Sequence, residues 1–436
     1  MSGSQQFSEL SGHLPNPSNR FVLGVNYWPR RKAMYWWSDF DRSEVEDEFD
    51  LIASLGLDVV RLFLLWDDWQ PDPDSVESAR LADFGTVCEV AADRGLGLDV
   101  TFFTGHMSGP NWAPRWLLDP AAPPPSPHLR QTVSRGKIVE GAYRNMFHDP
   151  QALAASELLV REVVGAFKDH PAIWMWNLGN EPDLFAYPHS SEVGKRWVRN
   201  LTSTIRELDP VHPVTCGLHA GSLLTDNGFR VDQVFSETDV AVMHGYPMYE
   251  DWAHGELDPD FMPFLCGLVA TLSGKPCLAE EWGGCTNPDQ DESTIWEWTS
   301  YGGIQRKQFM AGESALATHV DRVLPKLVQA GATGAMLWCF ADYAESLWDR
   351  PPCDPRGAKH ERHFGLVRPD GTVKPHAESI KRFAATRPVV QPAERTVELD
   401  VTPDEYYQDP VAHAPRLYRA YRERYEEVDE TTKDAT

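Results

Sequence analysis

Eight times along the chain an apolar run of strand length gives way to a stretch of helical length. "FVLGVNY" (21–27) precedes "RSEVEDEFDLIASLG" (42–56), and "LDVVRLFLLW" (57–66) precedes "SARLADFGTVCEVAADRG" (78–95). The alternation continues through "LGLDVTFFT" (96–104), "AIWMWNLG" (172–179) and "HPVTCG" (212–217). It ends with "DVAVMHGY" (239–246), "KPCLAEEWG" (275–283) and "ATGAMLWCF" (332–340). Strands that are apolar almost throughout have both faces buried, which is the habit of a parallel sheet covered by helices. Eight such units within residues 21–386 predict an α/β fold, a closed (β/α)8 TIM barrel. An open doubly wound sheet is the alternative, but no G-x-G-x-x-G follows the first strand to seat a dinucleotide on it.

Loop lengths add a direction. Residues 105–148, which include "APPPSPH", and residues 284–312 and 341–372 are long. They follow the third, seventh and eighth expected strands, so they rise from the face where barrel active sites are built. Loops of that length wall a site. The chain thus divides into an N-terminal extension (1–20), a catalytic barrel (21–386) and a polar C-terminal tail (387–436) with some helical character in "APRLYRAYRERYEEV".

Charge excludes some partners. With 40 basic and 65 acidic side chains the net charge is −25, which repels phosphate backbones and anionic lipid. No apolar run reaches membrane-spanning length, and residues 1–20 lack the basic start and apolar core of a secretion signal. Seven cysteines, with no C-x-x-C, point to buried free thiols in a reducing compartment, hence the cytoplasm. The best ligand group, Cys353 with His360 and His363, lies in a polar loop without tight pairing, so neither metal nor cofactor is expected. Oligomeric state is left open.

Two glutamates stand where a barrel would use them. "WMWNLGNEPDLF" (174–185) carries an apolar strand into Asn180 and Glu181, and charged residues are rarely buried unless paired or functional. In "LAEEWGG", strand alternation places Cys277, Ala279 and Glu281 on one face, with Leu278 and Glu280 on the other. Small residues suit the barrel interior, so Glu281 is expected inward and Glu280 as a structural acid on the helix-facing side. Strands four and seven oppose each other across an eight-stranded mouth. Two carboxylates so placed suit glycoside hydrolysis, one protonating the leaving oxygen and the other meeting the anomeric carbon. Sixteen tryptophans supply flat faces for sugar rings. Those near strand ends, including Trp28, Trp282 and Trp338, are candidates to line such a site; core packing accounts for others.

"WNLGNEP" and "AEEWG" resemble the acid/base and nucleophile signatures of clan A glycoside hydrolases, most closely family 5, over residues 21–386. The resemblance implies a retaining mechanism with Glu181 as acid/base, Glu281 as nucleophile, and Asn180 on the sugar 2-hydroxyl. Arg61 in "VVRLFLLW" resembles the arginine that steadies the nucleophile, and His244 and Tyr246 in "MHGYP" resemble a pair beside the carboxylates. Trp338 in "MLWCF" resembles the platform beneath the reacting sugar; His106 in "FFTGHMSG" is displaced from the usual position but remains a candidate contact.

"LGVNYWP", "FFTGHMSG" and "HFGLVRPDGTVKP" are similar to the bacterial subfamily 18 enzymes of family 5, which implies β-mannosidase activity on Manβ1-4GlcNAc, the core linkage of N-glycans. The long loops favour release of terminal sugars. An endo-β-mannanase, a β-glucanase or a β-galactosidase of the same clan is the alternative activity. A catalytically inactive glycan-binding barrel is the alternative of another class, and retention of both glutamates with Arg61, His244 and Tyr246 argues against it.

Overall fold

A computed structural model of the protein describes residues 20–127 and 130–433. The expected N-terminal extension lies outside the described residues except for Arg20.

The eight expected strands are present as β1 (Val22–Asn26), β2 (Val59–Leu65), β3 (Gly97–Thr104) and β4 (Ile173–Asn180), followed by β5 (Val214–Gly217), β6 (Ala241–His244), β7 (Cys277–Gly283) and β8 (Gly334–Trp338). They form one parallel sheet in the order β5-β4-β3-β2-β1-β8-β7-β6. Single backbone bonds close the seam between β5 and β6: His244 N–H donates to Leu218 O at 2.8 Å, and Ala220 N–H to His244 O at 3.0 Å. The fold is therefore the expected (β/α)8 barrel.

Helices follow the strands because local signals start them where the apolar runs stop. The helix Pro150–Phe167 begins with proline, and Asp149 accepts the Ala152 N–H at its N-terminus. Ser190 does the same for Ser191–Leu208 by accepting from Val193 N–H. The helix Phe261–Ser273 ends at Gly274, whose φ of 71° is open to glycine at little steric cost.

The three long loops carry structure of their own. After β3, Asn111–Trp112, Thr132–Ser134 and Lys137–Val139 form a small three-stranded sheet. After β7, Thr294–Thr299 and Gln305–Met310 form an antiparallel ribbon. The Trp298 indole N–H donates to Gly357 O at 3.0 Å, pinning that ribbon to the loop after β8.

The segment expected as a polar tail packs against the barrel. Leu417, Tyr418 and Tyr421 recur at helical spacing within Pro410–Lys433 and are buried. Tyr418 lies 4.9 Å from Phe264, ring centre to ring centre, and its hydroxyl donates to Asp258. Before that helix, Tyr406 and Tyr407 donate to Leu223 O at 2.7 Å and Ser222 O at 2.9 Å.

Candidate active site

Glu181 sits one residue past β4 in the left-handed backbone region, at φ 49° and ψ 57°. A non-glycine residue there costs about 1–3 kcal/mol and needs its surroundings to hold it. They do: Glu181 N–H donates to Gly217 O at 3.0 Å, and Pro182 opens a short helical turn behind it. The β4–β5 register shifts between Asn177 and Asn180, turning the end of the strand into the barrel mouth.

The end of β7 departs from simple alternation. Ala279 pairs with Met243, but the next partner of β6, His244, faces Glu281. The extra residue is a bulge, and it turns both Glu280 and Glu281 inward. This corrects the expected helix-facing position of Glu280. Its carboxylate accepts from Asn177 Nδ2 at 3.0 Å, meets His244 Nε2 at 2.8 Å and lies 3.4 Å from Arg61 Nη2.

Arg61, fully buried on β2, ties these elements together. Its guanidinium reaches Glu281 Oε1 at 2.5 Å, Asn180 Oδ1 at 3.0 Å, Asn26 Oδ1 at 3.1 Å and Thr101 Oγ1 at 3.0 Å. Tyr246 OH donates to the other Glu281 oxygen at 3.1 Å. His244 bridges the two strand ends, with Nδ1 2.9 Å from Glu181 Oε1 and Nε2 on Glu280. One oxygen of Glu181 and one of Glu281 lie within 4.8 Å of each other.

Electrostatics follow from this crowding. Burial pulls the His244 imidazole down, but Glu281, Glu181 and Glu280 outweigh it and raise it to about 9. His219 behaves alike: against burial, Asp183 at 2.9 Å raises it to about 9. Burial pushes Glu181 up, and the His219 and His244 cations hold it well below the usual carboxylate range. Burial raises Glu281, with His244 and Arg61 pulling it back. Burial also raises Glu361, which accepts from the Trp338 indole N–H at 3.3 Å, to about 7. Among the described residues, Glu181, His244 and Glu281 form the group whose ligand atoms are close enough for a metal ion; Cys353, His360 and His363 do not form one. Arg61 and the imidazolium already supply cations there, so the donor set fits a divalent ion poorly.

Glu181, Glu281, Asn180, His244, Tyr246, Trp338 and His106 line one cavity of about 720 Å³. Arg61 lies beneath it. Asn111 Nδ2 donates to Tyr143 OH and Leu184 O, so its Oδ1 accepts the His106 Nδ1–H at 2.9 Å. That tautomer leaves His106 Nε2 as an acceptor. Two expected sugar contacts are not brought to the cavity. Trp28 is buried beneath it, stacked on Phe63 at 5.1 Å, and Phe63 in turn backs Trp338. Trp282, just past the bulge, is buried 6.3 Å from His319 on the helix Glu313–Gln329. Sequence reasoning missed His219, Asp183, Arg130 and Glu361. Asp183 falls inside the quoted "WMWNLGNEPDLF" but past its Glu181, and His219 lies two residues beyond β5, where a bridge to His244 brings it to the mouth; Arg130 and Glu361 sit in long loops that carry no period to place them.

Residues 128–386 match the family model described as glycosyl hydrolases family 2, TIM barrel domain. The chain belongs to that family. This family 2 barrel is also 26% identical over 291 residues to mannan endo-1,4-beta-mannosidase A of Hypocrea jecorina, covering 61% of each chain. It thus spans about three-fifths of that relative. Among solved structures it is similar to the exo-beta-1,4-mannosidase Op5Man5 from Opitutaceae bacterium strain TAV5, with 26% identity and a TM-score of 0.66 over 85% of this chain and 60% of that one. A variant of a GH5_18 protein from Streptomyces cattleya, solved with Manβ1-4GlcNAc, superposes with a TM-score of 0.73 over 92% of this chain and 90% of that one; at 20% identity this likeness concerns the fold alone. The likeness to solved GH5_18 proteins thus concerns the barrel, while the family model that matches is that of family 2.

Proposed function

We propose that this protein is a retaining, exo-acting β-mannosidase that hydrolyses Manβ1-4GlcNAc-type oligosaccharides. The observation that carries the reading is the placement of Glu181 and Glu281, with oxygens within 4.8 Å at the floor of a cavity walled by three long loops. A separation of about 5 Å suits direct attack by one carboxylate, whereas an intervening water needs more room. The mannosidase names of the relatives support the sugar, and the loop walls support release from chain ends. Seven buried free thiols favour a reducing compartment such as the cytoplasm.

Glu281 attacks the anomeric carbon while the glycosidic C–O bond breaks and Glu181 protonates the departing oxygen. Before substrate binds, Glu181 is held ionised by the His219 and His244 cations, and the proton starts on His244 Nδ1, 2.9 Å away. A sugar over the site excludes water, which favours the neutral carboxylic acid and moves the proton onto Glu181. Glu181 then takes a proton from the water that cleaves the glycosyl ester. Arg61 and Tyr246 hold Glu281 in line throughout.

The test is a panel of aryl β-mannoside, β-glucoside and β-galactoside with Manβ1-4GlcNAc and mannan. Turnover is expected with the mannoside and the disaccharide, and proton NMR should find β-mannose first. An initial α-anomer would sink the retaining mechanism, a preference for another glycone would sink the sugar, and rapid viscosity loss of mannan would sink the exo assignment.

A further inference from the structure

The cavity wall carries two arginines that the reaction does not use. Arg130, on the loop after β3, and Arg306, on the ribbon after β7, both line it. The chain is strongly acidic overall, at −25, so cations facing a cavity are not a by-product of composition. Acids nearby have partners of their own. Asp183 meets His219 at 2.9 Å, Glu250 accepts from Trp252 at 2.8 Å, and Asp354 accepts from Tyr301 at 2.6 Å. Arg130, in contrast, donates one hydrogen bond, to Gly109 O at 3.2 Å, and its buried Nε has no acceptor. Among the described residues no carboxylate forms an ion pair with Arg130 or Arg306.

Position decides which part of a ligand they meet. Arg130 holds Gly109, close behind His106, whose carbonyl accepts from Asn180 Nδ2 at 3.3 Å beside Glu181; a Cβ at Gly109 would lie 2.9 Å from Ala358, next to the Gly357 on which Trp298 is fixed. The electrostatics agree, since burial lowers the basicity of Arg130 while Glu181 and Asp183 favour its charge. Arg130 therefore lies on the Glu181 side, where the leaving group departs. Arg306 stands opposite Trp298 in the ribbon, whose indole is fixed to Gly357. A guanidinium with free donors, partly withdrawn from water and beside a second one, favours an oxyanion of matching fork geometry.

We propose that Arg130 and Arg306 form a subsite for an anionic group, a carboxylate or a phosphate, on the leaving-group sugar of the substrate. The inference rests on the glycosidase reading for the direction of the leaving group. It makes charged oligosaccharides, such as those ending in mannosyl-uronic acid or in a sugar phosphate, the preferred substrates over their neutral counterparts.

Binding tests this separately from turnover. The full chain carrying Glu281→Ala is titrated calorimetrically with Manβ1-4GlcNAc, with its 1-phosphate and with Manβ1-4-glucuronic acid, at low and high salt. At least one anionic ligand is expected to bind about tenfold tighter than the neutral disaccharide, with the advantage shrinking as salt screens it. The winning ligand distinguishes phosphate from carboxylate. Adding Arg130→Gln and Arg306→Gln should bring the anionic and neutral affinities together. Equal affinities for all three ligands, or an anionic preference that survives both substitutions, would overturn the subsite. Loss of the glycosidase reading would appear elsewhere, as absent turnover of every aryl glycoside by the unaltered chain.

Discussion

Two adjacent glutamates now share the barrel interior, and single substitutions separate their tasks. Glu281→Ala removes the proposed nucleophile; turnover of an activated aryl mannoside is expected to fall by at least about a thousandfold, on the scale of a lost catalytic group. Azide, small enough for the vacated space, should restore part of it and give the α-mannosyl azide. Glu280→Gln should also slow the enzyme, because it loosens His244 and Arg61, but azide should not rescue it. Rescue at Glu280 instead of Glu281 would reverse the assignment. Asp99 supplies a companion case. It is fully buried beside Glu280, and burial first, then Glu280, raises its carboxyl well above the usual range against the pull of Arg61 at 3.9 Å, and so favours its neutral form. Asp99→Asn keeps shape and neutrality and should change stability by less than about 1 kcal/mol. Asp99→Ala leaves a void beneath Glu280 and should cost about 2–4 kcal/mol in denaturant unfolding. Equal losses from both variants would mean that Asp99 is ionised. Glu181, Glu281, Asn180, Arg61, His244 and Tyr246 were legible because each ends or fills a strand inside a recognisable motif. The inward turn of Glu280 was not, because strict alternation has no place for a bulge. Trp28 and Trp282 lie near the right strand ends, but one backs Phe63 and the other faces the helix layer.

Strands and helices were legible because burial on both strand faces and on one helix face writes two different periods into the chain. Loops carry no such period. The ribbon formed by Thr294–Thr299 and Gln305–Met310 is an example: "STIWEWTS" alternates, but its exposed ends read as loop. The C-terminal segment misled for another reason. Its tyrosines look polar, yet they bury their rings and keep a hydrogen bond for each buried hydroxyl at Tyr406, Tyr407 and Tyr418. The ribbon gives a prediction at this scale. Replacing residues 295–309 by a short glycine-serine turn removes Trp298, Tyr301, Arg306 and Gln308 from the cavity wall while leaving β7 and its helix in place. The shortened protein should keep aryl mannosidase activity and bind the disaccharide more weakly, because an aryl leaving group needs none of the sugar contacts that the ribbon supplies. Calorimetric titration reads the second effect, and a disaccharide affinity unchanged in the shortened, folded protein would show that the ribbon does not meet the leaving-group sugar.

Across the whole molecule, the buried cations and acids set a pH window for stability. His219 and His244 have folded values raised from 6.5 to about 9. For a raised histidine the stabilisation is complete below the unfolded value and is lost as pH rises through the folded one. Other groups act at lower pH. His106, His360 and His376 are lowered to about 3 and His319 to about 4 by burial, so they favour folding progressively as pH rises toward 6.5. Asp67 is raised to about 6, and Asp68 and Glu361 to about 7, all by burial, which opposes those histidines over part of the same range. From about pH 7 to 8 the two raised histidines dominate the slope, and above about 8 the thiols of the unfolded chain ionise while the buried ones do not, which adds to the same fall. Unfolding free energy from urea titrations should therefore fall from pH 7 to pH 9, and the proposed hydrolase activity should fall with it as His244 loses the proton destined for Glu181. His219→Gln should flatten the stability slope in that window. His244→Gln should flatten it too, and should also abolish the alkaline limb of the activity profile. A stability that stays level from pH 7 to 8 in the unaltered protein would mean that both imidazoles are neutral in the folded state, and the resting proton would then belong to Glu181 itself.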